Sequence, residues 1–207
     1  MFTDKNMDVL KDQVRTTKGD QTRARIITAM RGLAALKGTA NVTLRDIAAQ
    51  ADLKIGGIYF HFDSRDDIIR ALLKAGIDGA VASVSAALDG LPATASALDR
   101  LEAALRAHVH YVVRERFAAS LEAIRALPQG VRDEHLADEG RYLDLFQDLF
   151  DAALANAPAG IDSHAAKMLC MGSLTWVQEW YAADGRLSLD EIVDQLLLLC
   201  AGVLGHR

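Results

Sequence analysis

The chain has 207 residues, 51% hydrophobic and 25% charged, a balance that excludes wholesale disorder and fits one domain or two small ones. The longest purely apolar run, Leu196 to Ala201, is far too short to span a bilayer, and Met1 to Asp20 lacks the apolar core of a secretory signal. A net charge of −5 argues against a non-specific nucleic-acid binder, yet residues 1–75 hold 13 lysines and arginines against 9 acids while residues 76–207 hold 10 against 19. A basic front on an acidic back suggests two jobs, with an anionic partner meeting the front. Cys170 and Cys200 cannot build a disulfide framework, so a reducing cytoplasm is the expected home, with no membrane involved.

Only 3 prolines, 6% aromatics and an almost complete lack of strand signals predict an all-α chain of about nine helices. Residues 1–19 carry Lys5, Lys11, Arg15 and Lys18 among acids. This mixed charge reads as a flexible arm more readily than as a minor-groove contact. Thr22 to Lys37 places Ile26, Met30 and Leu33 on one helical face, with Gly38 as the stop. Thr43 to Asp46 has the layout of a capping box, opening a short helix to about Ala51. Asp52 to Lys54 forms a turn, and a second short helix covers Ile55 to Phe62. Ser64 caps the next helix, with Asp66 and Asp67 in its first turn and apolar residues stepping from Ile69 to Leu88. Pro92, Pro128 and Pro158 divide the rest into helical segments: Ala95 to about Leu127, Val131 to Asn156, and Ser163 onwards. The loop Ala183 to Arg186 splits the last of these, and Ser188 caps its second half.

Two short helices around a tight turn, braced by a longer one, form a DNA-reading unit whose second short helix enters the major groove. Gly56 and Gly57 let its backbone approach the DNA, while Tyr59, His61 and Arg65 flank it with groups suited to phosphate. The stretch Thr22 to Leu73 resembles the DNA-binding domain of TetR-family transcriptional regulators. The residues that carry the likeness are Thr43 to Ala48, Ala51, Gly56 to Phe62, and Ser64 to Ile69. The resemblance implies that Thr43 caps its helix and touches a phosphate, and that Arg45 reaches a base edge. It implies that Ile55, Gly56 and Gly57 face bases and that Tyr59 and His61 hold the backbone. Phe60 belongs to the same DNA-binding set, and Arg65 stands where the family usually has lysine. Ile58 and Phe62 are expected in the core. Lys54 stands where the family often has a capping hydroxyl, which weakens the helix start or adds a phosphate contact. Ile55 replaces a frequent polar residue, so reading there is apolar, as against a thymine methyl.

The resemblance also implies a helix-turn-helix domain over 20–67 and a ligand-binding and dimerisation domain over 68–207. Independently, Leu189, Ile192, Val193, Leu196, Leu199, Cys200 and Val203 make the last helix apolar over more than one face, which demands partners on two sides. With Met168 on the preceding helix, they predict a homodimer seam of two helices per subunit. Such a dimer reads a pseudo-palindromic operator. Candidate residues for a small hydrophobic ligand are His108, Tyr111, Val112, Phe117, Arg141, Phe146, Phe150, Met171, Trp176 and Trp180. The stretch from Leu174 to Leu189 resembles the tail of TetR-family repressors of fatty-acid and steroid catabolism, which sense acyl-CoA thioesters. That implies an acyl-CoA effector, its anionic end within reach of Arg106, Arg114 or Arg141. His108 and His110 are two apart, so a helix points them apart; no metal and no cofactor is expected. Hydrolase, phosphate-loop and metalloprotease motifs are absent, so the chain does not read as an enzyme. The competing reading is a helical small-molecule-binding or interaction protein that no longer reads DNA.

Overall fold

A computed structural model describes residues 17–115, 124, 125, 127–155 and 161–203, with side chains to residue 199. Among these residues there are eight α-helices: α1 (Lys18–Lys37), α2 (Leu44–Gln50), α3 (Ile55–Tyr59), α4 (Arg65–Asp89), α5 (Ala97–Glu115), α6 (Gln129–Leu154), α7 (Ser163–Trp180) and α8 (Leu189–Val203). A short 3-10 turn, Thr39–Asn41, links α1 to the segment before α2, where the sequence indicates no helix. The chain divides into two compact units between Leu72 and Leu73, so α4 belongs to both.

In the first unit, side-chain caps set the helix starts. The Thr17 hydroxyl accepts from the Asp20 amide at 3.1 Å, and the Asp20 carboxylate accepts from the Thr17 amide at 2.9 Å. This reciprocal cap starts α1 at Lys18, one turn before the Thr22 that apolar spacing indicates. The same box joins Thr43 to Asp46 ahead of α2. Ser64 and Asp67 exchange bonds at the head of α4, as the sequence predicts. Between α2 and α3, Asp52 adopts φ 52°, a left-handed conformation that aspartate tolerates better than most side chains. Ile26, Met30, Val42, Ile47, Ile58, Phe62, Ile68 and Ile69 are buried and form this unit's core.

In the second unit, α5, α6 and α7 pack on one another, and α8 lies on α5. The core runs through Val84, Leu101, Leu105, Val109, Phe146, Phe150, Leu174, Val177 and Val193. Helix α4 is long and apolar enough to cross a membrane. Its Leu73, Ala80 and Val84 are buried within the fold, however, and Lys74 and Asp78 pair at 2.9 Å on its outer face. That is the pattern of a core helix. Arg106 on α5 pairs with Glu102 at 2.6 Å, with Asp190 at 3.3 Å and with Asp194, fastening α8 to α5.

Candidate nucleic-acid interface and ligand cavity

Helix α3 has five residues, too few to be stable alone, so its position depends on what holds it from behind. Ile58 and Phe62 supply the buried side, as expected. Arg23 from α1 lies over the Phe62 ring, 4.0 Å from its centroid, and donates to the His61 carbonyl at 2.8 Å. Arg25 donates to the Ala51 carbonyl in the turn. The outer side is left bare: Lys54, Ile55, Gly56, Tyr59 and Phe60 are exposed, Phe60 to 86%. His61 is half-buried, its ring edge-on to Phe60 at 5.2 Å. Thr43 and Arg45 are exposed on α2. Lys54 takes the N-cap position of α3 and makes no side-chain cap.

Arg65 departs from its expected role. Its Nε donates to the Val42 carbonyl at 2.7 Å and its Nη2 to the Thr39 carbonyl, so the guanidinium ties α4 to the segment before α2. Lys37 donates to Asp46 at 2.7 Å and, with the Thr43 hydroxyl and amide, holds that carboxyl far below its ordinary range. The α2 cap therefore stays ionised at any physiological pH.

The second unit contains a cavity of about 660 Å³, within the range of small-molecule sites. Leu73, Gly76, Ile77 and Ala80 line it from α4, and His108, Tyr111 and Val112 from α5. Ile124, then His135, Glu139, Tyr142 and Leu143 from α6, continue the wall. Helix α7 adds Met168, Met171, Gly172, Thr175, Trp176, Gln178 and Glu179. His108, buried, has Nδ1 3.0 Å from the Tyr142 hydroxyl and Nε2 3.4 Å from the Thr175 hydroxyl. Burial pushes the His108 imidazole down to about 4 and the Tyr142 phenol up, so both are neutral near pH 7.

Of the expected ligand residues, His108, Tyr111, Val112, Met171 and Trp176 line this cavity. Phe146 and Phe150 do not: they are buried in the core behind the wall, Phe146 edge-on to His108 and Tyr142. Arg141 follows Asp138 by one turn, pairs with it and faces solvent, and Trp180 lies off the cavity, half-exposed. Phe117 lies outside the described residues. None of the arginines expected at an anionic end lines the cavity; Arg106 is engaged with acids, and Arg114 is exposed above the Tyr111 ring. His135, Glu139 and Thr175 were missed. Their signal was the i, i+4, i+7 spacing of His135, Glu139 and Tyr142 on a face that otherwise continues as Phe146 and Phe150.

The expected seam is also revised. Ile192 and Val193 are buried in the protomer's own core, and Leu189 and Leu196 pack against it, because this side of α8 covers α5. Met168 is half-exposed and lines the cavity. Leu199 is exposed, as are Leu169 on α7 and Leu198 on α8. The side chains of Cys200 and Val203 lie outside the described residues.

Residues 26–72 match the family model of bacterial regulatory proteins, tetR family, and residues 94–204 match that of the tetracyclin repressor-like C-terminal domain. The HTH-type transcriptional repressor KstR2 of Mycobacterium tuberculosis is 25% identical over 204 residues, covering 95% of this chain and 96% of the repressor. The crystal structure of a transcriptional regulator of the TetR/AcrR family from Thermobifida fusca aligns with a TM-score of 0.65 at 27% identity, covering 90% of this chain and 99% of that one. AibR, in complex with isovaleryl coenzyme A and operator DNA, shares the fold, with a TM-score of 0.73 at 21% identity over 86% of this chain and 97% of that one. With one family model on the short-helix unit and the other on the unit that holds the cavity, the chain belongs to the TetR family of bacterial regulatory proteins and has a DNA-binding and a ligand-binding domain.

Proposed function

We propose that this regulator is a cytoplasmic repressor that binds a pseudo-palindromic operator as a homodimer and leaves it when a small hydrophobic effector enters the cavity. The bare outer side of α3 carries this reading. A five-residue helix presenting Lys54, Ile55, Gly56, Tyr59 and Phe60 to solvent, over a buried Ile58, is shaped to meet a surface outside the fold. Arg45 reaches a guanine edge from α2, and Ile55, Gly56 and Gly57 meet bases. Thr43, Tyr59 and His61 hold phosphates, while Arg65 supports the unit from within.

The exposed leucines of α7 and α8 support a second copy as the partner. An acyl-CoA thioester is the effector favoured by the likeness to repressors of lipid catabolism and by the ligand of AibR. Its acyl arm occupies the cavity, and the nucleotide stays outside. Release passes through α4, which lends Leu73, Gly76, Ile77 and Ala80 to the cavity wall and begins at Arg65 in the DNA-binding unit. Coupling of this kind is worth about 1–3 kcal/mol, or roughly 5–150-fold in operator affinity.

The test is selection of fragmented source-genome DNA by the purified protein at fixed moderate salt, followed by sequencing. An enriched pseudo-palindrome supports the dimeric reader. No enrichment, before and after unfolding and refolding to strip any co-purified ligand, favours the helical binding protein without DNA recognition.

A further inference from the structure

The cavity wall is apolar apart from a few groups, and these are not equivalent. His108, Tyr142 and Thr175 satisfy one another across α5, α6 and α7. His135 does not share in this. It lines the cavity with only 7% of its surface exposed, and its Nδ1 has no hydrogen-bond partner among the described residues. A buried imidazole nitrogen left unpaired destabilises the fold unless something else completes it. One turn along the same face of α6, Glu139 lines the same cavity. The remaining polar lining residues are Tyr111 on α5 and, one after the other near the end of α7, Gln178 and the exposed Glu179. No lysine or arginine is among the described lining residues, so an anion placed inside would meet carboxylates without a counter-charge from them.

We infer that His135 and Glu139 together receive a hydroxyl group on an otherwise apolar, uncharged part of the effector. A hydroxyl is the small neutral group that both donates and accepts. Its hydrogen goes to the Glu139 carboxylate, and its oxygen accepts from His135 in the tautomer that carries the proton on Nδ1. A plain alkyl chain would fill the volume and leave His135 orphaned. A carboxylate would face Glu139 with like charge. A hydroxyl satisfies both residues at once. The same group could arrive on a free alicyclic alcohol or on the acyl arm of a thioester. This inference rests on reading the cavity as the effector site.

The test measures binding to the full chain by calorimetry without DNA, using two matched pairs. The first is 4-cyclohexylcyclohexanol against its methyl ether, and the second is β-hydroxydecanoyl-CoA against decanoyl-CoA. In at least one pair the hydroxylated member should bind about tenfold tighter or more. In His135→Phe and Glu139→Leu that preference should shrink to about threefold or less, with the affinity of the partner lacking the hydroxyl kept. Glu139 is only half-buried, so its variant remains informative if His135→Phe fails to fold. The pair that shows the preference identifies the source of the hydroxyl. Equal binding within both pairs, no binding of either hydroxylated probe at millimolar concentration, or a preference that survives Glu139→Leu would overturn the inference. Operator release is read separately on the same samples. Binding with hydroxyl preference but without release would sink the regulatory mechanism alone, whereas release without any hydroxyl preference in either pair would sink the hydroxyl site alone.

Discussion

In the proposed complex Tyr59 holds a phosphate through a neutral hydroxyl, and that fixes what its removal does. A neutral donor lost from a phosphate contact weakens every sequence alike and leaves counterion release unchanged, whereas a lost lysine weakens every sequence and also reduces that release. Tyr59→Phe should therefore lower affinity for an operator and for scrambled DNA together, by about tenfold, with an almost unchanged salt slope. Lys54→Ala should make the slope of log K against log salt shallower by about one. Binding isotherms at several salt concentrations check both, and an affinity unchanged by Tyr59→Phe would count against α3 as the reading element. His108 allows a prediction of a different kind. Its pKa falls from 6.5 to about 4 in the folded chain because burial disfavours the charged ring. A lowered histidine pKa favours folding at pH above 6.5, and this contribution is lost as pH drops from 6.5 towards 4. The unfolding free energy from urea titrations should thus fall between about pH 7 and about pH 4.5 by on the order of 2 kcal/mol, and His108→Gln should flatten that fall.

Elements were legible wherever a local rule sets them. The box at Thr43 and Asp46 and the caps at Ser64 and Ser188 are readable as residue types ahead of an apolar pattern, and each forms its hydrogen bonds. The boxes at Thr17 and Asp20 and at Ser96 and Asp99 obey the same rule but lie among other polar residues, where no apolar pattern drew notice. The cavity was half legible, because a 3.6-residue period marks an inward face without separating core from wall. Tyr142, Phe146 and Phe150 share one stripe of α6, yet the tyrosine lines the cavity while both phenylalanines pack behind it. Packing between helices decides that, as it does at Gly79, where no sequence pattern signals the close approach of α4 and α5. A Cβ there would stand 2.2 Å from the Tyr111 hydroxyl oxygen and 2.9 Å from the carbon that bears it. Gly79→Ala should cost about 1–3 kcal/mol by forcing the ring aside. In a Tyr111→Phe background the cost should be smaller, since the tightest contact is gone; strictly additive effects in a double-mutant cycle would show that the backbone moves instead.

At the scale of the whole molecule, association depends on the apolar surface that the protomer cannot bury. Helix α8 is apolar over more than one face, so its period does not say which side faces a partner. The fold divides it: Ile192 and Val193 turn into the core, while Leu198 and Leu199 remain exposed. On α7, Cys170, Leu174 and Val177 turn inward, and Leu169 is 73% exposed. Two helices of one chain, each with an uncovered leucine face, match the self-complementary patch that a two-fold dimer requires. Leu169 and Leu199 do not line the cavity, so charging them tests association without touching the effector site. Burying a glutamate at a seam without a partner charge is costly, and two copies of each would meet across the axis. The wild-type chain should therefore sediment as a dimer at micromolar concentration, and Leu169→Glu with Leu199→Glu as a monomer. That monomer should keep its helical circular dichroism, because both positions are exposed in the protomer. Its operator affinity should fall about a hundredfold or more, since one reading helix then engages one half-site without the gain from a tethered second. A wild-type monomer that still binds an intact palindrome, or a doubly charged variant that remains a dimer, would place the seam elsewhere on the fold.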